Sequence, residues 1–334
     1  MKATINLEKK HFPVLLNELI SIISPLYGGT FIDCTFGNGG YSSKILENNL
    51  NSVVALDRDL DVRIYANNLK KKFPFRFEFY NSRFSEINNL NLENKKIKGI
   101  IFDLGYSLDQ IMSKTKGLSF KSENKLNMQM GLNDISANDV INNMSQQNIN
   151  NILKYYGDEK KSKIISKIIC ERRKTKLIKT NDLVKIINIV KKKPKSKIHN
   201  ATKSFQALRI FVNQEISELM YGLINAFKIL PIGGIMVIVT FNSIEDRIVK
   251  FFFKNYSESQ NTSRYLPEAS KKLKLFKLVN KKPILPSEAE IKINPPSRSA
   301  KMRYAFKIKD INNFKEFFNK FEKLIKIEEL RKEI

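Results

Sequence analysis

Residues 30–43, TFIDCTFGNGGYSS, constrain the fold more than any other stretch, because an apolar strand runs straight into a glycine-rich turn and then a helix start. Gly37, Gly39 and Gly40 have no Cβ, so the chain can turn sharply and bring backbone N–H groups to a ligand at a helix N-terminus. A second apolar run, residues 52–56, ends on Asp57. An acidic residue at the tip of the second strand of a βαβ unit is placed to accept hydrogen bonds from both hydroxyls of a ribose. These features together suggest an adenosine-containing cofactor. The loop does not fit the G-x-G-x-x-G dinucleotide pattern, since Ser42 stands where the last Gly would fall, and no Gly-Lys-Ser/Thr follows as in a P-loop. S-adenosylmethionine carries no phosphate and suits a loop with neither signature. The alternative for the loop alone is a tight strand-to-helix turn with no ligand.

Strand-like runs occur at residues 30–34, 52–56, 75–80, 97–103 and 235–241, with helical periodicity between most of them. That alternation predicts a parallel sheet with flanking helices. Well over a hundred residues separate the last two strands, far more than a crossover helix requires, so a helical lobe is expected at 108–204. The core would then be 1–107 with 205–312, and residues 313–334, with Phe314, Phe317, Phe318 and Phe321, form a C-terminal amphipathic helix. Residues 204–230 read as one long helix stopped by Pro231, and 281–299 as a proline-bearing loop leading into SRSAKMRYA.

The 334 residues are 42% hydrophobic, enough for a sizeable core, and no apolar run approaches a membrane span. Two cysteines, Cys34 and Cys170, and two histidines make neither a disulfide framework nor a convincing metal set. The N-terminus has no apolar h-region, so secretion is not indicated. The net charge of +26 suits a polyanionic partner, and the cations are concentrated, with nine Lys or Arg in residues 160–179 and five in 191–197. In 160–174, Ile164, Ile165, Ile168 and Ile169 alternate with Lys161, Lys163, Lys167, Arg172 and Arg173, predicting one packed face and one cationic face.

Three further groups of residues reach the expected sheet edge. Asp103 ends the strand GIIFD, where ligands of open α/β sheets bind, although a helix cap is the alternative. Phe84, just past the third strand, could cover an adenine face or fill the core. TFNSIEDR, residues 240–247, delivers Asn242, Glu245, Asp246 and Arg247, with Ser243 and Asp246 at capping-box spacing. Gln206, Arg209 and Asn213 share one helix face, read as a solvated polar stripe, and Arg298, Lys301 and Arg303 form a basic cluster suited to phosphate.

Taken in order, these motifs resemble the ribosomal RNA small subunit methyltransferase H family. The opening H-x-P-V-L-L-x-E is residues 11–18, D-x-T-x-G-x-G-G is 33–40, D-R-D is 57–59, and D-L-G-x-S begins at Asp103. G-x-S-F is 117–120, F-Q-A-L-R-I-x-V-N is 205–213, S-L-E-D-R matches 243–247, and R-S-A-K-x-R is 298–303. The resemblance covers residue 11 to about 305 and implies a class I S-adenosylmethionine-dependent methyltransferase fold, α/β and Rossmann-like with a mostly parallel sheet, carrying an inserted all-helical lobe. It further implies S-adenosyl-L-methionine as methyl donor, and the exocyclic N(4) amine of a cytidine in small-subunit 16S ribosomal RNA, near the decoding centre, as target. The cofactor positions it implies are Gly39, Gly40, Tyr41, Asp57, Phe84, Asp103 and Gln110. Catalytic positions are Asp103 and Asn242, and RNA-binding positions Arg209, Arg247, Arg298 and Arg303, with no metal. The expected home is a bacterial cytoplasm, since His11 already belongs to the first motif and leaves no room for an organelle presequence. The small ribosomal subunit is the expected partner, no membrane is expected, and a homodimer is compatible.

The chain departs from the family pattern at three positions. Tyr41 replaces the usual His after the double glycine, Asn38 replaces Gly, and Asn242 replaces the His before S-L-E-D-R. Asn242 puts an amide that cannot titrate where an imidazole is usual. Two other readings follow. One is a catalytically impaired RNA-binding ribosome assembly factor of the same fold, motivated by Asn242 and Tyr41. The other is a dinucleotide oxidoreductase, motivated by the glycine loop alone.

Overall fold

The computed structural model describes residues 13–106, 110, 116–120, 126–191, 199–257, 274–311 and 313–334. His11, residues 107–109 and the lysine run 192–197 lie outside them. The chain divides into two compact units, Met1–Gly105 with Ile224–Asn313, and Tyr106–Leu223 with Phe314–Ile334.

The first unit is a seven-stranded sheet. Its strands are β1 Thr30–Asp33, β2 Ser52–Asp57, β3 Phe77–Asn81, β4 Ile97–Asp103, β5 Ile235–Thr240, β6 Phe276–Leu278 and β7 Lys301–Lys307, in the order β3-β2-β1-β4-β5-β7-β6. The first five pair in parallel, while β7 runs antiparallel to β5 and β6 antiparallel to β7. Every residue of β1 and of β5 is buried, as expected of central parallel strands covered on both faces. Chain order reverses between β1 and β4, so their C-terminal ends flank the crevice where open α/β sheets bind ligands. This is the Rossmann-like fold of class I methyltransferases.

Two sheet features depart from the sequence reading. β3 begins at Phe77, not at residue 75, because Phe75 sits in a turn and is 96% exposed. The proline-bearing segment 281–299 is not all loop, since it holds helix Glu288–Ile293 and a 3-10 turn at Pro295–Ser299, and it leads into strand Lys301–Lys307, where Met302, Ala305 and Lys307 are buried. Lys307 can be buried because its Nζ donates to the carbonyls of Phe227 and Leu230, at 2.8 and 2.6 Å, and lies 4.4 Å from the Phe227 ring centre.

The second unit is helical, with helices Ala137–Asn143, Gln146–Gly157, Ser162–Arg172, Thr180–Lys191, Thr202–Val212 and Lys315–Glu329. Helix Glu215–Ile229 carries the chain back into the first unit. The single helix expected over 204–230 is two, broken at Gln214 with φ +52°. Asn213 makes the break: its Nδ2 donates to Met128 and Arg209 carbonyls at 2.8 and 2.9 Å, and its Oδ1 accepts from Met130 N at 2.9 Å and Asn133 Nδ2 at 2.6 Å. Residues 205–223 therefore belong with the helical unit instead of the core.

The C-terminal helix also belongs to that unit and is not a separate element. Phe317, Phe321, Leu324 and Ile327 are buried, and Tyr156 Oη donates to the Leu324 carbonyl at 2.6 Å. The Glu328 carboxylate accepts from Ile216 N and Ser217 N, both at 2.9 Å, satisfying amides that open helix Glu215–Ile229. Among the described residues, no helix is long and apolar enough to cross a membrane.

Candidate active site

The site is built on the glycine turn between β1 and helix Gly40–Leu46. Gly39 has φ +77°, and a Cβ there would lie 2.7 Å from the Phe36 ring. At Gly40 a Cβ would come 2.1 Å from Pro13 Cγ, so Pro13 of the opening motif lies directly on the loop. Tyr41 is buried and its Oη donates to the Val14 carbonyl, while Leu15 N donates to Glu290 Oε1 at 2.8 Å. The Tyr41 side chain is thus committed to anchoring residues 13–15. What it can offer a ligand is its backbone amide in the first helical turn.

Three carboxylates stand at the C-terminal ends of adjacent strands. Asp57, ending β2, accepts from Gly37 N at 2.8 Å and Asp59 N at 2.9 Å, which pins the glycine turn to the second strand. Burial raises its pKa from 3.8 to about 6. Asp33, ending β1, accepts from Ser42 Oγ at 2.6 Å and Thr35 N at 3.3 Å and is likewise raised to about 6 by burial. Asp103, ending β4, donates its backbone N–H to Thr35 Oγ1 at 2.6 Å. Its carboxyl is raised well above the ordinary range, first by burial, then by Asp33 and Glu245. Asp103 Oδ1 is buried and finds no hydrogen-bond partner among the described residues. Phe84 meets Phe102 edge-on at 5.4 Å, beside Asp103 in sequence.

An orphaned carboxylate oxygen, two further buried carboxylates and a glycine turn pinned by Asp57 suit a cationic ligand that carries a ribose. Negative groups that repel one another are relieved by a positive charge. S-adenosylmethionine, with its sulfonium, meets both demands. Among the described residues no cluster of His, Cys, Asp or Glu could hold a metal ion.

The remaining candidates divide sharply. Asn242, not Ser243, is the N-cap of helix Ser243–Asn255: its Oδ1 accepts from Ile244 N at 3.0 Å and Glu245 N at 2.9 Å, and Glu245 Oε2 accepts in return from Asn242 N at 3.3 Å. The capping box is Asn242 with Glu245, one residue earlier than the Ser243 and Asp246 pairing expected from spacing. Asp246 instead accepts from Lys301 Nζ at 3.0 Å and Arg303 Nε at 2.8 Å. Burial alone would raise its carboxyl, but those hydrogen bonds outweigh it and hold it below its ordinary value. Arg303 is therefore a strand-to-helix anchor and not a free phosphate contact. Arg247 and Arg298 are exposed, as an RNA contact requires.

In the second unit, Arg209 is buried and pairs with Glu215 through two 2.7 Å hydrogen bonds, its guanidinium 4.4 Å from the Tyr106 ring centre. Asn213 is fully buried as well, so two of the three residues of the expected solvated stripe are internal anchors, while Gln206 is half-buried. Gln110 is buried. On helix Ser162–Arg172, Ile165 and Ile169 are buried while Lys163, Lys167 and Arg172 are exposed; Ile164, expected to pack, is 47% exposed. The sequence reading missed Asp33, Thr35 and Ser42. Their signal was the D-x-T spacing at the end of β1, which lets one hydroxyl bridge two strand ends.

A family model described as the MraW methylase family matches residues 8–308. The ribosomal RNA small subunit methyltransferase H of Wolbachia pipientis subsp. Culex pipiens is 42% identical over 297 residues, spanning 88% of this chain and 97% of the relative. The protein of the same name from Rhodospirillum rubrum is 39% identical over 302 residues, spanning 88% and 93%. That of Rickettsia prowazekii is 39% identical over 302 residues, spanning 89% and 98%.

Proposed function

The chain belongs to the MraW methylase family, and from that premise we propose that it transfers a methyl group from S-adenosyl-L-methionine to the exocyclic N(4) amine of a cytidine in small-subunit 16S ribosomal RNA, near the decoding centre, in a bacterial cytoplasm. The observation that carries this reading is the buried Oδ1 of Asp103 at the switch point of the sheet, which has no hydrogen-bond partner among the described residues. When bound, the cofactor supplies an electrophilic methyl group on a sulfonium. Asp57 accepts hydrogen bonds from its ribose hydroxyls, and the turn at Gly39, Gly40 and Tyr41 presents backbone amides to it. Phe84 covers its base.

The amine of cytosine is a poor nucleophile because its lone pair is delocalised into the ring. An acceptor aimed at an amino hydrogen favours a more pyramidal nitrogen and takes up the proton released when the new N–C bond forms. Asp103 Oδ1 is that acceptor. The crowding that raises its pKa makes its ionised form a stronger base, at the cost of needing a higher pH to ionise. Asn242 keeps its amide Nδ2 to hold the base, while its Oδ1 is occupied by the helix cap. Exposed Arg247 and Arg298, with the cationic side of helix Ser162–Arg172, meet RNA phosphates.

The test is transfer of labelled methyl to small subunits lacking the modification, followed by nucleoside mass spectrometry. N(4)-methylcytidine is the expected product, and label in any other nucleoside overturns the assignment. Asp103→Asn should bind cofactor yet lose about a hundredfold in transfer rate. Binding of both cofactor and subunit without any transfer by the wild type would favour the assembly-factor reading.

A further inference from the structure

We propose that Phe120 and His199 form a stacking platform for an unpaired base of an RNA strand, an inference that rests on the RNA substrate proposed above. Phe120 closes the G-L-S-F stretch at 117–120, which the methyl-transfer chemistry leaves unused. Its ring lies 4.7 Å from the His199 ring with the planes 15° apart, a parallel stack, and meets Phe205 edge-on at 5.1 Å and 81°. Burial is graded along this series: Phe205 is buried, Phe120 half-buried and His199 exposed.

His199 is also held from a second side, where its Nδ1 accepts from Ala201 N at 3.2 Å, just before helix Thr202–Val212. An imidazole at the surface loses rotamer freedom when it is fixed, and gains little from water for doing so. Two contacts that fix it parallel to a phenyl ring backed by the core therefore leave an ordered aromatic face at the surface. Unpaired bases are bound by stacking on such faces, whatever their identity. Exposed Lys203, four residues on, and the +26 net charge favour an anionic strand over a neutral aromatic ligand. An enzyme that acts on the amine of a base must also take that base out of its stack, so an aromatic surface for the disturbed strand offsets part of the unstacking.

The chain contains no tryptophan, so His199→Trp places the sole indole of the full-length protein at the platform. Titration with unmodified small subunits, or with a short single-stranded oligoribonucleotide, should quench its fluorescence with the same affinity that anisotropy reports. His199→Ala and Phe120→Leu should raise KM for the subunit about tenfold with kcat within about twofold, and His199→Phe, which keeps the stack, should restore the wild-type KM. An indole whose emission is unchanged at saturating RNA, or an unaltered KM in His199→Ala, overturns the platform. If the wild type transfers methyl and the indole stays silent, the platform alone fails. If the wild type transfers none, the proposed reaction fails, and quenching still decides the platform.

Discussion

Asp57→Ala separates the binding role of the site from its stability. The carboxylate holds the amides of Gly37 and Asp59, so its removal gives up two hydrogen bonds worth about 2 kcal/mol together. Against that, at pH 8 the wild type keeps an ionised carboxylate whose pKa is raised from 3.8 to about 6, a penalty of about 3 kcal/mol. The two nearly cancel, and the unfolding free energy at pH 8 should change by no more than about 1 kcal/mol. A carboxyl with a folded pKa above its unfolded one stabilises the fold at low pH and loses that contribution as the pH rises through the folded value. Between pH 8 and pH 5 the wild type therefore gains about 1.4 kcal/mol from Asp57 that the variant lacks, so the substitution should be the more harmful at pH 5. Denaturant unfolding at both pH values measures this difference. Calorimetry at pH 8 should meanwhile show at least a tenfold weaker Kd for S-adenosylmethionine, from the loss of charge-assisted contacts to the ribose. An unchanged Kd would remove Asp57 from the cofactor site, and a larger stability loss at pH 8 than at pH 5 would refute the raised pKa.

Arg303→Ala should cost about 2 kcal/mol in stability by breaking the Asp246 pair while leaving the salt dependence of RNA binding unchanged, whereas Arg298→Ala should lower the salt slope by about 1 with no loss of stability. Gly40→Ala adds a good helix former yet should destabilise, because its Cβ would stand 2.1 Å from Pro13 Cγ; faster proteolysis near residue 13 is the readout, and a stabilised variant contradicts the contact. Reversing Lys163, Lys167 and Arg172 to Glu should lower the log–log salt slope of subunit binding by about 2 or more, and an unchanged slope places the RNA footprint elsewhere.

Most of the sheet was legible because parallel strands buried on both faces read as unbroken apolar runs, as in TFID and IMVIVT. β7 was not, because KMRYAFK mixes buried and half-buried positions and ends on a lysine whose burial depends on two carbonyls supplied from about 80 residues away as well as on nearby Asp310. The break between helices Thr202–Val212 and Glu215–Ile229 was hidden for a similar reason. No proline or glycine marks it, and the four hydrogen bonds of Asn213 that stabilise it reach back to residues 128–133 as well as to its own helix. At the site, Asp57 and Asp103 were visible as strand-tip acids, but Thr35 and Ser42 act through contacts that spacing alone does not reveal.

The basic residues show how charge misleads when read without burial. Arg209 and Arg303 both looked like candidates for RNA, yet Arg209 is held by Glu215 and Arg303 by Asp246. A guanidinium buried against a carboxylate has already spent its hydrogen bonds, so it contributes rigidity to the site and little direct affinity for RNA. The same logic bears on Asn242. If an imidazole at this position had to titrate for turnover, an amide would abolish it. The structure shows a different task for the side chain: two amides of helix Ser243–Asn255 need an acceptor, and Asn is among the best N-cap residues. Glu245 closes the box from the other side and, through its charge, helps raise the pKa of Asp103. Asn242 thus fixes a carboxylate that tunes the acceptor instead of serving as a base itself, and a chain built this way can keep turnover without the imidazole.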